Sequence, residues 1–260
     1  MRVGEQPDNL VDERFIKVDL HIHTPESKCY SDPEATPEQV VDAALAAGLE
    51  AIAITDHNTV GGLDRVSELG QEKGLAVFPG VELSARGGHV LALFDRETPI
   101  PRLVDFLDYV GASAAAKGDG SITISDWIED VFRKIDEWGG IAIAAHIERW
   151  PTGFLQTTER RRVKMRIHSN QYLTALEITQ PQNKGLWNKG QVRDYPKKYA
   201  CIQGSDAHAL DEIGRRATYL RIPSLDLKGL RLAFNDYESR IRFPQEIDIE
   251  PTGGLTRSEQ

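Results

Sequence analysis

The sequence predicts an α/β fold built on a parallel sheet, either rolled up or open. Short apolar runs at residues 51–54 and 141–145 are typical of strands covered on both faces. Helical segments follow the first runs, and strand-then-helix units in succession indicate parallel pairing. At 260 residues, with 40% hydrophobic and 27% charged residues, the chain is long enough for one domain with a substantial core.

The first predicted strand, over residues 16–23, alternates between apolar and polar side chains. The apolar set is Ile16, Val18, Leu20 and Ile22, and the polar set is Asp19, His21 and His23. Residues two apart on a strand share a face, so both imidazoles leave the backbone in one direction and are able to hold the same metal site. Taken alone, the stretch is more typical of a strand end with two exposed histidines than of a metal site.

The segments that follow alternate between helix and strand. Residues 36–39 (Thr-Pro-Glu-Gln) predict a helix start with a Thr cap, Pro at the first position and Gln closing a capping box. Gly48 is the predicted stop of this helix. A second helix is predicted to open at residues 61–62 and to close at Gly74.

A third strand over residues 75–81 is predicted to deliver Glu82 at its end, and a turn at 87–88 leads into a strand over 89–94. Helices are predicted between residues 99 and 140, the clearer one capped by Ser125 and stopped by Gly139. The remaining predictions are strands at 141–145, 174–178, 199–203 and 218–222, and a helix near 225–234.

Composition limits the environment and the partners. The net charge of −9 argues against a surface that generally coats nucleic acid, but leaves room for a local basic groove. Cys29 and Cys201 form no disulfide framework and are expected to be small apolar fillers, which suits a reducing cytosol. No apolar run approaches transmembrane length, and the first residues lack the order of a signal peptide. We therefore expect a cytoplasmic protein with no membrane partner.

Histidine, aspartate and glutamate side chains come directly after apolar strands, in strand after strand. They are His21 and His23 after the first, Glu82 after the third, and His57, His146, Asp206 and His208 after others. In parallel α/β proteins the carboxyl ends of strands are where sites assemble. Imidazole and carboxylate together are the usual ligand set for zinc, manganese or iron, so the sequence predicts a metal site.

Five short motifs occur in a fixed order, and as an ordered set they resemble the PHP (polymerase and histidinol phosphatase) superfamily over about residues 15–245. The motifs are His-Ile-His at 21–23, Thr-Asp-His at 55–57, Gly-Val-Glu at 80–82, Ala-His at 145–146 and Gly-Ser-Asp-Ala-His at 204–208. The resemblance implies a distorted (β/α)7 barrel in a single domain. It also implies two to three divalent ions (manganese, zinc or iron) that serve to hydrolyse phosphate esters. Outside this range, composition predicts a polar segment at 1–14 and a flexible tail at 246–260.

The metal positions that the resemblance implies are His21, His23, Asp32, His57, Glu82, His89, His146, Asp206 and His208. Asp32 lies further from His23 than the third ligand of the family commonly does, with Glu26 as its rival and a simple turn role as the alternative. The assignment of His89 depends on the turn at 87–88 bringing the next strand back over the site. Without that turn, His89 would be a half-exposed strand end.

The implied reaction is metal-assisted hydrolysis with a hydroxide bridging two ions as nucleophile, since coordination lowers the pKa of water towards about 7. Glu82 is the expected bridging carboxylate. The other residues expected to take part in catalysis are His57, Asp206 and His208. Asp56 is expected to orient a ligand histidine rather than to bind metal. We expect no covalent intermediate, because no serine or cysteine has a base placed for it.

Three arginines are candidates for binding a substrate phosphate in bidentate fashion: Arg149, Arg215 and Arg216. The alternative for each is a surface salt bridge. The basic segment at 160–166 is either a nucleic-acid contact or a solvated helix face.

The later part of the chain resembles a narrower group. Residues 205–208, 211–216 and 233–240 are similar to PHP domains at the N-terminus of large prokaryotic proteins with an SMC-like ATPase. The sequence contains no Gly-rich Walker loop ending in Lys-Ser or Lys-Thr. The chain is therefore either a stand-alone relative or lacks the ATPase region that would be its partner.

The leading hypothesis is a phosphoesterase acting on a phosphorylated small molecule, such as a nucleotide, or on nucleic acid, with phosphatase and nuclease activities both open. The alternative is a non-catalytic, metal-stabilised interaction module that partners an ATPase or a polymerase. All nine implied metal positions hold competent residues, which favours the enzyme. A barrel metallohydrolase that cleaves C–N bonds is a third option, disfavoured by the Asp-x-His pair near the end and by the missing lysine bridge.

Overall fold

The computed structural model describes residues 14–247. The predicted polar segment at 1–14 and the predicted tail at 246–260 therefore lie almost entirely outside the described residues. Across residues 14–247, no helix combines the length and the apolar character needed to cross a membrane.

Strands and helices alternate as far as the third strand, which is followed directly by the fourth. The strands are β1 (Phe15–Ile22), β2 (Ala51–Ile54), β3 (Ala76–Ala85), β4 (Gly88–Leu93), β5 (Ile141–Ala144), β6 (Ala175–Glu177), β7 (Ala200–Ile202), β8 (Thr218–Arg221) and β9 (Ile241–Arg242). The helices are α1 (Pro37–Ala46), α2 (Leu63–Lys73), α3 (Ile100–Tyr109), α4 (Ile128–Glu137), α5 (Arg161–Ser169), α6 (Lys184–Lys189), α7 (Leu227–Asn235) and α8 (Tyr237–Arg240).

Strands β1 to β7 are neighbours in chain order, and β8 and β9 extend the sheet beyond β1. Most pairs within β1–β7 are parallel, but β4 is antiparallel to both β3 and β5. The segment after β7 returns to the end of β1, where the Asp206 N–H donates to the His21 carbonyl at 2.9 Å and the His23 N–H donates to the Ala207 carbonyl at 3.1 Å. The seven strands thus form a nearly closed, distorted barrel, which confirms the predicted fold class.

Local sequence explains the first two helices. The Thr36 hydroxyl accepts the N–H of Gln39 at 3.3 Å, and the Gln39 side chain accepts the N–H of Thr36 at 2.8 Å, so the predicted capping box forms. Helix α2 begins after Gly62 and ends at Gly74, whose φ of 78° lies in the left-handed region that glycine adopts without strain. Both predicted helix boundaries are confirmed.

Two predicted boundaries are wrong. Glu82 was expected after the end of a strand, but β3 continues to Ala85 because β4 pairs with it from the 87–88 turn back to Gly80. Antiparallel pairing of this hairpin keeps the chain extended past the carboxylate. Helix α4 begins after Trp127, and Ser125 instead donates its N–H to the carbonyl of Gly111 at 3.3 Å.

Both sets of side chains on β1 are buried, which overturns the exposed-histidine alternative for this stretch. Val18, Leu20 and Ile22 are fully buried in the hydrophobic core, and the polar Asp19 and His21 on the other side of the strand are also fully buried. A buried polar face costs free energy unless its groups are paired, so this side of β1 has a role other than packing.

The basic segment lies on α5 and the turn before it. Arg166 forms an ion pair with Glu129 at 2.5 Å, Arg161 pairs with Asp194, and Lys164 donates to the carbonyl of Leu155 at 2.8 Å. These local contacts favour the solvated-face interpretation over a nucleic-acid contact.

His168, near the end of α5, is buried among aromatic rings. We expect its protonation to lower the stability of the protein at acidic pH. Its ring centroid lies 5.1 Å from those of Tyr195 and Tyr199 and 5.7 Å from that of Trp187, and its Nε2 has no hydrogen-bond partner. Burial, and then the nearby Lys197 ammonium, lower the pKa of His168 to about 4. The unfolded chain protonates this imidazole at a higher pH than the folded chain does. The free energy of unfolding therefore has its full value above about pH 6.5 and falls as the pH drops towards 4.

His168→Phe removes this titration. Between pH 7 and pH 5, we expect the free energy of unfolding of wild type to fall by about 1 to 2 kcal/mol relative to that of the variant. The shift is smaller than a fully shielded ring would give, because solvent screens part of the Lys197 charge. Urea unfolding of both chains at the two pH values measures it. A difference that stays constant between pH 7 and pH 5 would contradict the prediction.

Candidate metal centre

The carboxylate of Glu82 faces histidines on both of its oxygens. Its Oε1 lies 2.9 Å from the Nδ1 of His89 and 2.9 Å from the Nε2 of His146. His89 reaches this position because the 87–88 turn folds β4 back along β3, as the sequence analysis required. The φ angles of Gly87 and Gly88, 107° and 141°, are open to glycine but strained for other residues.

The second oxygen of Glu82 faces three more imidazoles. Its Oε2 lies 2.8 Å from the Nδ1 of His57, and the Nε2 atoms of His23 and His21 lie 3.4 and 3.5 Å away. His21 lies on β1, His23 follows it, and His57 follows β2. Glu82 is fully buried, so one carboxylate lies between five imidazoles in a region from which solvent is excluded.

The segment after β7 adds the last two predicted residues. The Oδ1 of Asp206 lies 3.1 Å from the Nε2 of His21 and 3.1 Å from the Nε2 of His23. The ring of His208 stacks on that of His23 with centroids 4.1 Å apart. The structure therefore brings together eight of the nine residues predicted to bind metal.

Backbone strain is concentrated around these side chains. His146 and Asp206 have φ angles of 27° and 51°, and Asn58, directly after His57, has a φ of 51°. Residues other than glycine avoid this left-handed region, and such conformations often occur at functional sites. Here they turn the chain at the ends of three strands so that the side chains face the barrel interior.

Three overlapping groups within residues 14–247 have the donor atoms to hold a divalent ion. The groups are His21, His23, Glu82 and Asp206; His57, Glu82 and His89; and His23, His57 and His208. The Glu82 Oε2 and the His57 Nδ1 are buried without a hydrogen-bond partner, although they face each other. Buried polar atoms of this kind are rarely left unsatisfied, so both the donor set and these two atoms fit bound cations.

Glu177, at the end of β6, orients the first histidine and was not predicted from the sequence. Its two carboxylate oxygens lie 3.1 and 3.0 Å from the Nδ1 of His21, and one of them accepts the N–H of His146 at 2.7 Å. The His21 Nδ1 is therefore the donor, and its Nε2 is left free to face the group. A side chain at Gly204 would collide with this carboxylate and with His21, so glycine is required there.

Asp56 has the orienting role that the sequence analysis expected. The Nδ1 of His23 lies 2.9 Å from the Ser27 hydroxyl, which donates to the Asp56 carboxylate at 2.7 Å. Because the hydroxyl proton is directed to Asp56, the histidine Nδ1 donates to the serine oxygen. This contact orients the ring of His23, so that its Nε2 faces the carboxylates of Glu82 and Asp206.

Opposite charges shift the pKa values of Glu82, His57 and Asp206 towards their ionised forms, whereas burial lowers the pKa of His89. Although burial opposes it, the imidazoles of His57, His89 and His21 hold the pKa of Glu82 well below its usual range. Burial likewise opposes protonation of His57, but the Glu82 charge raises its pKa to about 10. Although burial acts to raise it, the charge of His21 lowers the pKa of Asp206 well below its usual range. Positive charge is therefore favoured beside both carboxylates.

Asp32 is the predicted ligand that the structure does not bring into these groups. It is exposed on the loop after β1, and its carboxylate accepts the N–H of Glu34 at 3.0 Å in a local turn. Its rival, Glu26, is also exposed and belongs to none of the three groups within residues 14–247.

The three predicted phosphate-binding arginines differ in position. Arg149 pairs with the Asp206 carboxylate, and its side chain is 41% exposed at the edge of the site. Arg215 pairs with Asp211 at 2.5 Å on the surface. Arg216 donates to the carbonyl of Thr179 at 2.8 Å. Only Arg149 among the three lies beside the metal-binding groups.

Cys29, like Asp32, differs in position from its prediction. It was expected to be an apolar filler with no base nearby, but it is exposed and lines the same cavity wall as His57. Although burial acts to raise it, the imidazoles of His208 and His57 lower the pKa of Cys29 to about 6. The expectation for Cys201 is confirmed, because it is buried in the core.

A cavity of about 960 Å³ opens onto the site. Cys29, His57 and His89 line it, and Lys28 and Arg86 add positive charge to its wall. This volume lies within the range that accommodates small-molecule ligands of nucleotide size.

The chain is similar over part of its length to several known proteins. It is 33% identical over 138 residues to an uncharacterized protein of Methanocaldococcus jannaschii. This alignment covers 50% of this chain and 67% of that protein. It is 40% identical over 81 residues to a phosphoribosyl 1,2-cyclic phosphate 1,2-diphosphodiesterase of Eggerthella lenta, covering 29% of each chain. It is also 35% identical over 88 residues to a 5′-3′ exoribonuclease of Haemophilus influenzae, covering 32% of this chain and 31% of that one.

The alignments to the diphosphodiesterase and the exoribonuclease span less than a third of the length of each enzyme. Among solved structures, the lesion-specific endonuclease of Pyrococcus furiosus is similar with a TM-score of 0.66 and 16% identity, covering 88% of this chain and 58% of that one. At this level of identity the likeness concerns the fold.

The model of the PHP domain matches residues 19–150. This segment carries His21, His23, His57 and Glu82, together with His89 and His146, and it makes up half of the chain. The chain therefore belongs to the PHP domain family.

Proposed function

We propose that this protein is a metal-dependent phosphoesterase that hydrolyses phosphate esters of nucleotides or nucleic acid. The observation that carries the proposal is the position of Glu82, whose two oxygens face five imidazoles at 2.8 to 3.5 Å in a buried site. The enzymatic relatives are named as a diphosphodiesterase and an exoribonuclease, and both names describe cleavage of phosphate esters.

Eight side chains would hold two to three divalent ions, with Glu82 shared between them: His21, His23, His57, Glu82, His89, His146, Asp206 and His208. Imidazole and carboxylate donors suit manganese, zinc and iron. Bound ions would supply a water of lowered pKa and positive charge for the phosphate oxygens. The groups of the chain serve to keep these ligands oriented, through Glu177 on His21 and Ser27 on His23.

Arg149 would bind the substrate phosphate. It pairs with Asp206 through a single Nη1 atom, which leaves the rest of its planar guanidinium directed away from that contact and partly exposed. Guanidinium matches two phosphate oxygens at once, and such charge-assisted pairs are stronger than neutral hydrogen bonds. The neighbouring cavity of about 960 Å³ provides space for a nucleoside or a nucleotide chain beyond the phosphate.

The proposal is tested by supplying the metal-free chain with manganese, zinc or ferrous iron and offering two classes of substrate. Release of inorganic phosphate from nucleoside monophosphates would identify a phosphatase. Shortening of end-labelled oligonucleotides would identify a nuclease. If neither reaction occurs with any of the three metals, the enzymatic proposal is wrong and the non-catalytic interaction module becomes the better account.

Replacing Arg149 by Ala is expected to raise the KM for the phosphate ester by about tenfold or more, because a charge-assisted contact with the substrate is lost. Arg215→Ala is the matched control, since Arg215 lies in a surface ion pair with Asp211. Initial rates over a range of substrate concentration separate KM from kcat. An unchanged KM in Arg149→Ala would show that this arginine does not bind the phosphate.

An ATPase region as partner is also part of the proposal, since residues 205–208, 211–216 and 233–240 resemble PHP domains joined to an SMC-like ATPase. Purification of the tagged chain from its native cell, followed by an ATPase assay, tests this association. The expected cytoplasmic location remains a prediction.

A further inference from the structure

The cavity beside the metal centre carries an arginine that no carboxylate neutralises. Lys28 and Arg86 are the lysine and the arginine of its wall, and the Lys28 ammonium lies 3.5 Å from the carboxylate of Asp119. Within residues 14–247, Arg86 forms no ion pair, neither with Asp119 nor with Glu159, the other acidic residue of the wall. A guanidinium without a partner at the wall of a cavity is available to an anionic ligand.

Stacking holds the guanidinium of Arg86 in place. Its central carbon lies 4.3 Å from the centroid of the Trp127 ring. The Arg86 backbone is bound to the same segment, because its carbonyl accepts the N–H of Ile128 at 3.0 Å and its N–H donates to the carbonyl of Asp126 at 3.4 Å. Stacking uses the face of a guanidinium and leaves the N–H donors in its plane, so these donors remain available for phosphate oxygens.

Arg86 shares a cavity with the metal centre but lies away from it. It follows β3, four residues after Glu82, which corresponds to about 13 Å along an extended chain. His57 and His89, which face Glu82, line the same cavity. Since Arg149 is the proposed contact of the reacting phosphate, an anion at Arg86 would be a different group of the same substrate.

The rest of the cavity wall suits sugar and phosphate better than a stacked base. Five hydroxyl side chains line it: Ser121, Thr123, Thr152, Thr157 and Thr158. Within residues 14–247, no phenylalanine, tyrosine or tryptophan lines it. Bases bound without sequence preference stack on aromatic rings, whereas hydroxyl groups and arginines bind the oxygens of sugar and phosphate. The wall is therefore suited to the backbone of a substrate.

We propose that Arg86 binds a second phosphate of the substrate, so that the enzyme prefers esters with a further phosphate beyond the one at the metal centre. Two kinds of compound have this chemistry: a nucleoside with two separate phosphates, and a nucleic-acid chain, in which the neighbouring phosphodiester supplies the second phosphate. Trp127 is a positioning residue, because it contacts Arg86. The inference rests on the proposed phosphoesterase function and defines which esters the site selects.

Steady-state kinetics of the metal-loaded chain test this preference. The compounds are adenosine 5′-monophosphate, adenosine 3′,5′-bisphosphate and a 5′-phosphorylated adenosine dinucleotide, each measured by its KM or, where it is not hydrolysed, by its competitive inhibition constant. In wild type we expect a second phosphate to lower this constant by about tenfold or more in at least one of the last two compounds, because a charge-assisted contact is added. The compound with the lower constant identifies the source of the second phosphate.

In Arg86→Ala, the ratio between the one-phosphate and two-phosphate constants is expected to fall to about one. Arg102→Ala is the matched control, since the Arg102 guanidinium lies 5.3 Å from the Trp138 ring centroid but does not line this cavity. We expect this control to keep the ratio of wild type. A wild type without the preference, or an Arg86→Ala chain that keeps it, would overturn the proposal.

Two variants of Trp127 test the positioning role. Trp127→Ala is expected to lose most of the preference for a second phosphate, and Trp127→Phe, which keeps an aromatic face for the guanidinium, is expected to restore it. Circular dichroism checks that both variants are folded. An equal preference in Trp127→Ala and wild type would contradict the positioning role.

Binding to the metal-free chain gives a readout that does not depend on hydrolysis. Calorimetry measures the affinity of wild type and Arg86→Ala for the bisphosphate and the dinucleotide at low and high salt. We expect at least one of them to bind about tenfold more weakly to Arg86→Ala, with a smaller difference at high salt, because salt screens a contact between charges. Equal affinities of the two chains for both compounds would overturn the proposal. If the affinities differ as expected but no ester is hydrolysed, the proposed function fails while the assignment of Arg86 stands.

Discussion

Replacing Glu82 by Gln is expected to lower kcat by about a thousandfold or more and to remove at least one bound ion per chain. The substitution keeps the shape of the side chain but removes its charge and turns one oxygen into an amide nitrogen. That nitrogen would face either His89 and His146 or His57, since both carboxylate oxygens are used. An amide cannot be shared between two cations as a carboxylate can.

The same change leaves positive charge without its partner in a buried site. Glu82 is fully buried, and removal of one member of a buried charged group typically destabilises a protein by about 3 to 5 kcal/mol. The metal-free variant is therefore expected to unfold at a lower temperature than metal-free wild type. Calorimetry measures this shift, and elemental analysis measures the bound ions.

Glu68→Gln is the matched control for this experiment. Glu68 lies exposed on α2 in an ion pair with Arg65 at 3.0 Å, so the same chemical change there is expected to leave kcat and metal content unaltered. If Glu82→Gln kept more than a tenth of wild-type activity with its full metal content, the central role of Glu82 would be refuted.

Replacing Glu177 by Gln is expected to weaken metal binding by about tenfold to a hundredfold without abolishing the reaction. The carboxylate accepts from the Nδ1 of His21 and from the N–H of His146, and both partners are donors. A glutamine side chain has one acceptor, so its amide group would oppose one of these donors. His21 would then be less firmly held with its Nε2 towards the metal-binding group.

A titration of activity against metal concentration measures the effect of Glu177→Gln. We expect the half-saturating concentration to rise while the rate at saturating metal stays within a few-fold of wild type. Glu148→Gln serves as the control, because Glu148 accepts the N–H groups of Thr179 and Gln180 on the neighbouring loop and contacts none of the site histidines by a hydrogen bond. An unchanged half-saturating concentration in Glu177→Gln would show that its contact with His21 has no part in metal binding.

Local patterns in the sequence predict much of the fold. The capping box at residues 36–39 and the glycine stop at Gly74 depend on contacts within a few residues, so they are visible in the sequence itself. The extent of β3 is not visible in this way, because it depends on pairing with β4, and a strand continues for as long as its partner does.

The site shows the same division between local and distant contacts. Glu177 is one acidic residue among 40 in the sequence, and nothing in its neighbours distinguishes it. It becomes a partner of His21, 156 positions away, because β6 lies in the barrel next to β5, which delivers His146. Cys29 and Asp32 lie on the same loop, yet Cys29 lines the cavity with His57 whereas Asp32 accepts the N–H of Glu34 in a local turn.

By itself, the sequence determined the α/β class, the order of the elements and the types of residue that bind metal, because periodicity, caps and side-chain chemistry are properties of short segments. The tertiary structure decided that Glu82 lies between five imidazoles, that Glu177 supports His21, and that Asp32 is turned outward while Cys29 lies at the site. These outcomes depend on how strands distant in the sequence are placed side by side as the barrel closes. Their physical reason is that contacts between distant segments are set by the packing of the whole barrel, which no local pattern encodes.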